Sequence, residues 1–155
     1  MKIIFLIISS LFIILNPFYL IYSQSWKFLG GPTGRTINDV IFTKSGRILC
    51  SDDQSVYYSD DNGISWKESI SARRFSGVHS FTLRINGEII AIATHNIIKS
   101  TDNGVSWFVT SNQSYLHYYG VRIYESPTDS ALYFVKDKSL YKSTDGGFIW
   151  NIIWK

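Results

Sequence analysis

The sequence predicts an all-β chain built from β-propeller blades of four antiparallel strands. It supplies about three blades plus one extra N-terminal strand, an incomplete ring. Two observations carry this reading. The first is a box repeated three times, at residues 59–66, 100–107 and 143–150, each reading Ser-x-Asp-x-Gly-x-x-Trp. The second is the set of short runs rich in Ile, Val, Tyr and Phe that precede each box. The box aspartates Asp61, Asp102 and Asp145 lie 41 and then 43 residues apart, a period that marks a propeller-type repeat.

Each box explains itself as a turn. Asp61, Asp102 and Asp145 can accept hydrogen bonds from backbone N–H groups of the turn they begin. Gly63, Gly104 and Gly147 can take positive φ. Ser59, Ser100 and Ser143 offer local hydroxyl bonds. Trp66, Trp107 and Trp150 bring large apolar surfaces with one donor to satisfy. These twelve structural residues account for a stable hairpin and require no ligand.

The runs before the first box are 37–43, 47–51 and 55–59. Those before the second are 78–85, 88–94 and 96–100, and those before the third are 120–125, 131–136 and 139–143. Turn-forming segments separate the first two runs of each unit. A fourth run follows each box, at 65–70, 106–110 and 149–154. Four strands per repeat make one blade, with blades expected at about 33–70, 76–111 and 118–155. No helical periodicity follows the first 25 residues.

Those first residues read as a signal peptide, 1–25. Lys2 gives a positive start, an apolar run spans 3–22, and Ser23-Gln24-Ser25 offers small residues at the exit. The expected location is secreted, periplasmic or cell-surface. An uncleaved membrane anchor is the alternative, since a run of this length just spans a bilayer. Without Lys2 the chain carries 14 basic and 12 acidic residues, so its charge gives no argument for a nucleic-acid partner. Arg73-Arg74 reads as solvated loop charge. Cys50, the sole cysteine, lies in an apolar strand and reads as a small buried hydrophobe.

The box pattern resembles the Asp-box, or BNR-repeat, propeller superfamily. That group includes sialidases, xyloglucan-active glycoside hydrolases, the sortilin-type receptor ectodomain and photosystem II assembly factor propellers. The likeness covers residues 26–155, and Trp26-Lys27-Phe28-Leu29-Gly30-Gly31-Pro32 followed by Ile37-Asn38-Asp39-Val40 is similar to the opening of sortilin-like and xyloglucanase-like blades. The resemblance implies that the boxes are rim hairpins away from any active site. It implies fold far more than function.

Three blades fall short of the four to eight of a closed ring. The expected partners are therefore further propeller blades, in an N-terminal piece of a longer propeller, or a second copy of the chain. Sialidase-like chemistry needs an arginine cluster, and the chain has Arg35, Arg47, Arg73, Arg74, Arg84 and Arg122. The Phe-Arg-Ile-Pro motif of that family is absent, and Arg84 and Arg122 read as ordinary strand-end charges. Hydrolysis by a carboxylate pair needs two acids across a cleft. Asp39, at an early-blade position where the xyloglucanase-like relatives hold a catalytic Asp, is the one weak candidate, and its partner would come from blades not in this sequence.

The strongest binding candidate is the aromatic stretch with Tyr115, His117, Tyr118 and Tyr119, in the loop between the second and third blades; the alternative is that its rings pack between blades. Asn112-Gln113-Ser114 before it is an acceptor sequon. His79, His95 and His117 lack metal-ligand spacing, the calcium-loop likeness of Asp60-Asp61-Asn62-Gly63 lacks its later glutamate, and no cofactor motif is present. The reading is an exported, non-catalytic propeller repeat protein that binds a protein or a glycan. The alternative is an N-terminal fragment of a propeller glycoside hydrolase.

Overall fold

The computed structural model describes residues 31, 36–75, 77–111 and 121–155. The signal segment, the extra strand at 26–29 and the aromatic loop with Tyr115, His117, Tyr118 and Tyr119 lie outside the described residues. Twelve strands form three four-stranded antiparallel sheets, each a simple meander. The first holds β1 (Asp39–Phe42), β2 (Ile48–Ser51), β3 (Val56–Ser59) and β4 (Lys67–Glu68). The second holds β5 (Val78–Leu83), β6 (Ile89–Ala93), β7 (Ile97–Ser100) and β8 (Phe108–Ser111). The third holds β9 (Tyr124–Glu125), β10 (Leu132–Lys136), β11 (Ser139–Ser143) and β12 (Asn151–Trp154).

Each sheet follows from short runs rich in β-branched and aromatic residues joined by tight turns. Gly46 and Gly87 take φ of 85° and 90° in the first turns of their sheets, where no side chain beyond hydrogen fits the backbone easily. The linker after β4 departs from the purely β expectation. Ala72–Phe75 form one 3₁₀ turn whose Ala72 and Phe75 are buried in the core. Burial of those two side chains anchors the turn, while Arg73 reaches back to Glu68 at 3.0 Å and stays in solvent.

The sheets stack in chain order through two apolar clusters. Leu49 and Val56 of the first sheet, with Ile41 and Tyr58 beside them, pack on Phe81, Ile89, Ala91, Ile98 and Trp107 of the second. Ile90, Ile92 and Ile97, on the other face of the second sheet, pack on Leu132, Phe134, Tyr141 and Trp150 of the third. Strand β6 is buried at every position, because it is covered on both faces. This explains why its sequence, Ile-Ile-Ala-Ile-Ala, shows no polar alternation.

Polar seams run beside both clusters. Asn38 Nδ2 donates to Val78 O at 3.1 Å, Arg47 Nη1 to Asn103 O at 3.1 Å, and Ile70 N to Val105 O at 2.7 Å. Lys44 Nζ donates to Ile85 O. Between the second and third sheets, Thr82 Oγ1 donates to Ile123 O at 2.6 Å. Arg84 is not the solvated strand-end charge expected from sequence. It is 9 % exposed and bonds Glu125 at 3.1 Å, Glu88 at 2.5 Å and Ser130 O at 3.2 Å. Lys99 completes the group on Glu88 at 3.2 Å. A buried cation persists there because two carboxylates and a carbonyl replace its water.

The box glycine of the second sheet is part of the packing. Gly104 has φ of 80°, and a Cβ at this position would run into the Leu49 side chain of the first sheet. Gly87 has φ of 90° with open space around it. Gly87→Ala is expected to lower the free energy of unfolding in urea by about 1–2 kcal/mol, the left-handed cost alone. Gly104→Ala is expected to add about 1–3 kcal/mol of overpacking to that. Equal losses for the two variants would show that the Leu49 contact is not tight.

Candidate functional site

The three boxes have nearly the same internal geometry. Ser59 Oγ accepts from Gly63 N at 2.8 Å and donates to Asp61 Oδ1 at 2.7 Å. Ser100 repeats this with Gly104 N and Asp102 at 2.8 and 2.7 Å, and Ser143 with Gly147 N and Asp145 at 3.0 and 2.8 Å. Each carboxylate then accepts a backbone N–H four residues on, from Ser65, Ser106 and Ile149. Trp66, Trp107 and Trp150 donate Nε1–H to the carbonyls of Gly63, Gly104 and Gly147 at 3.1, 3.2 and 3.0 Å. Two successive residues take positive φ: Asn62, Asn103 and Gly146 at 57°, 57° and 77°, then the box glycines. Asn and Gly are the residue types that tolerate this region, so the variable fourth position of the box has a backbone reason of its own.

The bonds consume the box carboxylates. Asp61 is lowered to about 2, first by the Ser65 hydroxyl, then by the Ser65 N–H and the Ser59 hydroxyl. Burial pushes Asp102 and Asp145 up, but the surrounding Ser and N–H donors outweigh it and hold both below the usual range.

Asp39, the sequence candidate for catalysis, is half-buried on β1. Its Oδ2 accepts Phe81 N from the second sheet at 2.8 Å, and its Oδ1 accepts Val40 N at 2.9 Å. Its geometry is that of a clamp between neighbouring first strands. Cys50 is buried, and burial, followed by the Asp52 charge, raises its thiol to about 12. A thiol held so high is not a nucleophile at neutral pH. His79 is lowered by burial, against the charge of Asp53, and bonds Thr94 at 3.2 Å. Among the described residues no group of three His, Cys, Asp or Glu is placed to hold a metal ion, and no helix is long and apolar enough to cross a membrane.

A cleft of about 400 Å³ lies where the first strands of the second and third sheets meet. Phe81, Leu83, Ile85, Ile123 and Pro127 give it apolar walls, and Arg122 and Tyr124 stand at it, both exposed to solvent. Ser80 also lines it. Its hydroxyl is buried and has no hydrogen-bond partner among the described residues. Strands β5 and β9 are edge strands of their sheets, so one side of each backbone has no ladder partner. Glu125 lies in the wall but is tied to Arg84 and to Ile85 N at 2.6 Å. Sequence reasoning placed Arg122 at a strand end and did not single out Tyr124. The available signal was position: both begin the third repeat, one period after Ser80 and Thr82.

No family model matches the chain, and no curated protein matches it. Solved structures do. An ancestral GH74 enzyme superposes with a TM-score of 0.68 at 21% identity, over 81% of this chain and 19% of that one. The GH74 enzyme of Niastella koreensis gives 0.57 at 21%, over 78% and 18%. YCF48 bound to D1 peptide gives 0.57 at 16%, over 83% and 43%. The chain thus spans about a fifth of the GH74 enzymes and less than half of YCF48. At these identities the likeness shows the fold: the three sheets are β-propeller blades.

Stability is expected to depend on acid in a defined window. Asp61 sits near 2 when folded and at about 3.9 when unfolded, so its contribution is present above about pH 4 and is lost as pH falls through about 2. Asp102 and Asp145 shift in the same direction. Thermal melts at stepped pH should fall between about pH 4 and 2, and Asp61→Asn should flatten the slope. An unchanged slope in that variant would contradict the assignment.

Proposed function

We propose that the chain is an exported, non-catalytic propeller module that binds an extended segment of a protein partner in the cleft between β5 and β9. The carrying observation is the cleft itself: apolar walls, two edge strands, one exposed guanidinium and one exposed tyrosine at the same place. Asp39, Glu125 and Thr82 already take Phe81 N, Ile85 N and Ile123 O, so an extended peptide would use the main-chain groups that these leave and the apolar walls between the strands. Arg122 supplies a planar fork suited to a carboxylate, whether an acidic side chain or a chain end.

Two further facts support the reading. A structural neighbour, YCF48, holds a peptide. Asp39 bonds two backbone N–H groups and is not among the residues lining the cleft, which argues against using it as a hydrolytic acid or base here. Export rests on the N-terminal apolar segment.

The test is retention of the chain on an array of peptides with free carboxyl termini, with a glycan array in parallel. Peptides should be retained, and Arg122→Ala should weaken that retention about tenfold or more, equivalent to about 1.4 kcal/mol, with no change in the unfolding free energy. Retention of glycans alone, or an Arg122→Ala variant that binds peptides as well as the parent, would overturn the proposal.

A further inference from the structure

The first strands of the three repeats are equivalent residue by residue. Ile41 with Leu49, Thr82 with Ile90 and Tyr124 with Tyr133 are corresponding pairs across the ladders. Two residues further on, Thr43 N, Arg84 N and Ser126 N donate across the first turn to Arg47 O, Glu88 O and Ala131 O at 2.9, 2.9 and 2.8 Å. Two residues before those pairs stand Asp39, Ser80 and Arg122, and one residue before them Val40, Phe81 and Ile123. Along an antiparallel strand successive N–H groups point alternately toward the paired strand and away from it. Arg84 N and Ser126 N point toward it, so Phe81 N and Ile123 N, at an odd spacing from them, point away.

The two seams differ at these positions. In the first, Asp39 crosses to the second sheet and its Oδ2 accepts Phe81 N at 2.8 Å. In the second, Ser80 stands in the place of Asp39, with a shorter side chain. Its buried hydroxyl has no hydrogen-bond partner among the described residues. Thr82 Oγ1 on Ile123 O at 2.6 Å holds the two first strands side by side there. Glu125, the carboxylate in the cleft lining, is held by Arg84 and by Ile85 N. Among the described residues, the counterpart of the Asp39 to Phe81 N bond is therefore missing at the second seam, and the cleft lies at that seam. Arg122, which stands in the same place in the third repeat, adds an exposed guanidinium beside Ile123.

We propose that the cleft binds a peptide carboxylate on Ile123 N–H, in the place that Asp39 takes on Phe81 N–H, with Arg122 as its countercharge. This inference rests on the reading of the cleft as a peptide site and names the groups that recognise the ligand. A hydrogen bond from a backbone N–H to a carboxylate is strong because the acceptor is ionised. The first seam shows that two neighbouring first strands have room for such a group between them. The residue at position 80 then decides whether the second seam is locked from within or left open to a ligand.

The test follows the backbone amides of the isotope-labelled full chain by NMR. The probes are a Val-Thr-Asp-Val-Thr peptide with both ends blocked and two peptides with Asn in place of the Asp, one blocked and one with a free carboxyl terminus. At least one of the two carboxylate-bearing peptides should move the Ile123 amide proton downfield. It should bind about tenfold or more tighter than the blocked Asn peptide, as a hydrogen bond to a charged group allows. Which of the two does so separates an acidic side chain from a chain end, and either supports the proposal. Ser80→Asp, which copies Asp39 one repeat on, should move the Ile123 amide downfield without any peptide and weaken peptide binding about tenfold or more. If that variant does not fold, the Ile123 shift in the parent chain decides. Peptides that shift the Leu83 and Tyr124 amides but leave Ile123 unmoved, or that bind equally with and without a carboxylate, would overturn the inference and leave the cleft a peptide site. So would a folded Ser80→Asp variant that binds like the parent. Peptides that shift no residue of the cleft would overturn both readings.

Discussion

The contact between one blade and the next is the constraint on which the rest of this structure depends. No sheet here is thick enough to bury its own side chains. Each has one apolar row facing forward and another facing back, and only a neighbour can cover them. The middle sheet shows the result: β6 is buried at all five positions because sheets lie on both sides. Among the described residues, the first and third sheets each pack on the second through one face, and exposed apolar residues, Val40, Phe42, Val135 and Trp154 among them, lie on the other, where Cys50 is nonetheless buried.

The boxes serve that contact by fixing hairpins so that Trp107 and Trp150 enter it, while Trp66 is only half-buried. The Ser and Asp side chains are taken up by local bonds, which leaves the indole as the large apolar part of the box. Phe134 shows how the ring is received, with Trp150 at 4.7 Å on one side and Tyr141 stacked at 4.5 Å. The polar seams add direction. Asp39 with Phe81 N, Thr82 with Ile123 O, and Arg84 with Glu125 each join one repeat to the next, so they set which strand faces which. The cleft is a by-product of the same arrangement. It opens at a seam between two first strands, and Phe81 and Ile123 belong both to its lining and to the cores.

The strands were legible because turn residues and β-branched runs bracket them, and the box spacing of 41 and 43 residues ordered them into blades. The 3₁₀ turn at Ala72–Phe75 was not, because a single buried Phe75 gives no periodicity. The role of Arg84 was hidden for another reason. Its charge reads as solvent-exposed until Glu88 and Glu125 are brought to it from 4 and 41 residues away. The second spacing equals one repeat, and that was a usable signal. Asp39 illustrates the converse. A carboxylate at a first-strand entry reads equally well as an acid or as a clamp, and only the position of Phe81 N distinguishes them. The aromatic loop with Tyr115 and His117 lies outside the described residues, and the cleft at Arg122 and Tyr124 is the site proposed from the described ones.

Hydrogen exchange resolved by residue tests the central claim most directly. If blade-to-blade packing is the main source of stability, the amides of β6 exchange slowest and only through global unfolding. Those of β4 and β12, exposed along their length, exchange orders of magnitude faster. Protection in β6 no greater than in β4 and β12 would contradict the account, since each sheet would then be holding itself together without its neighbours.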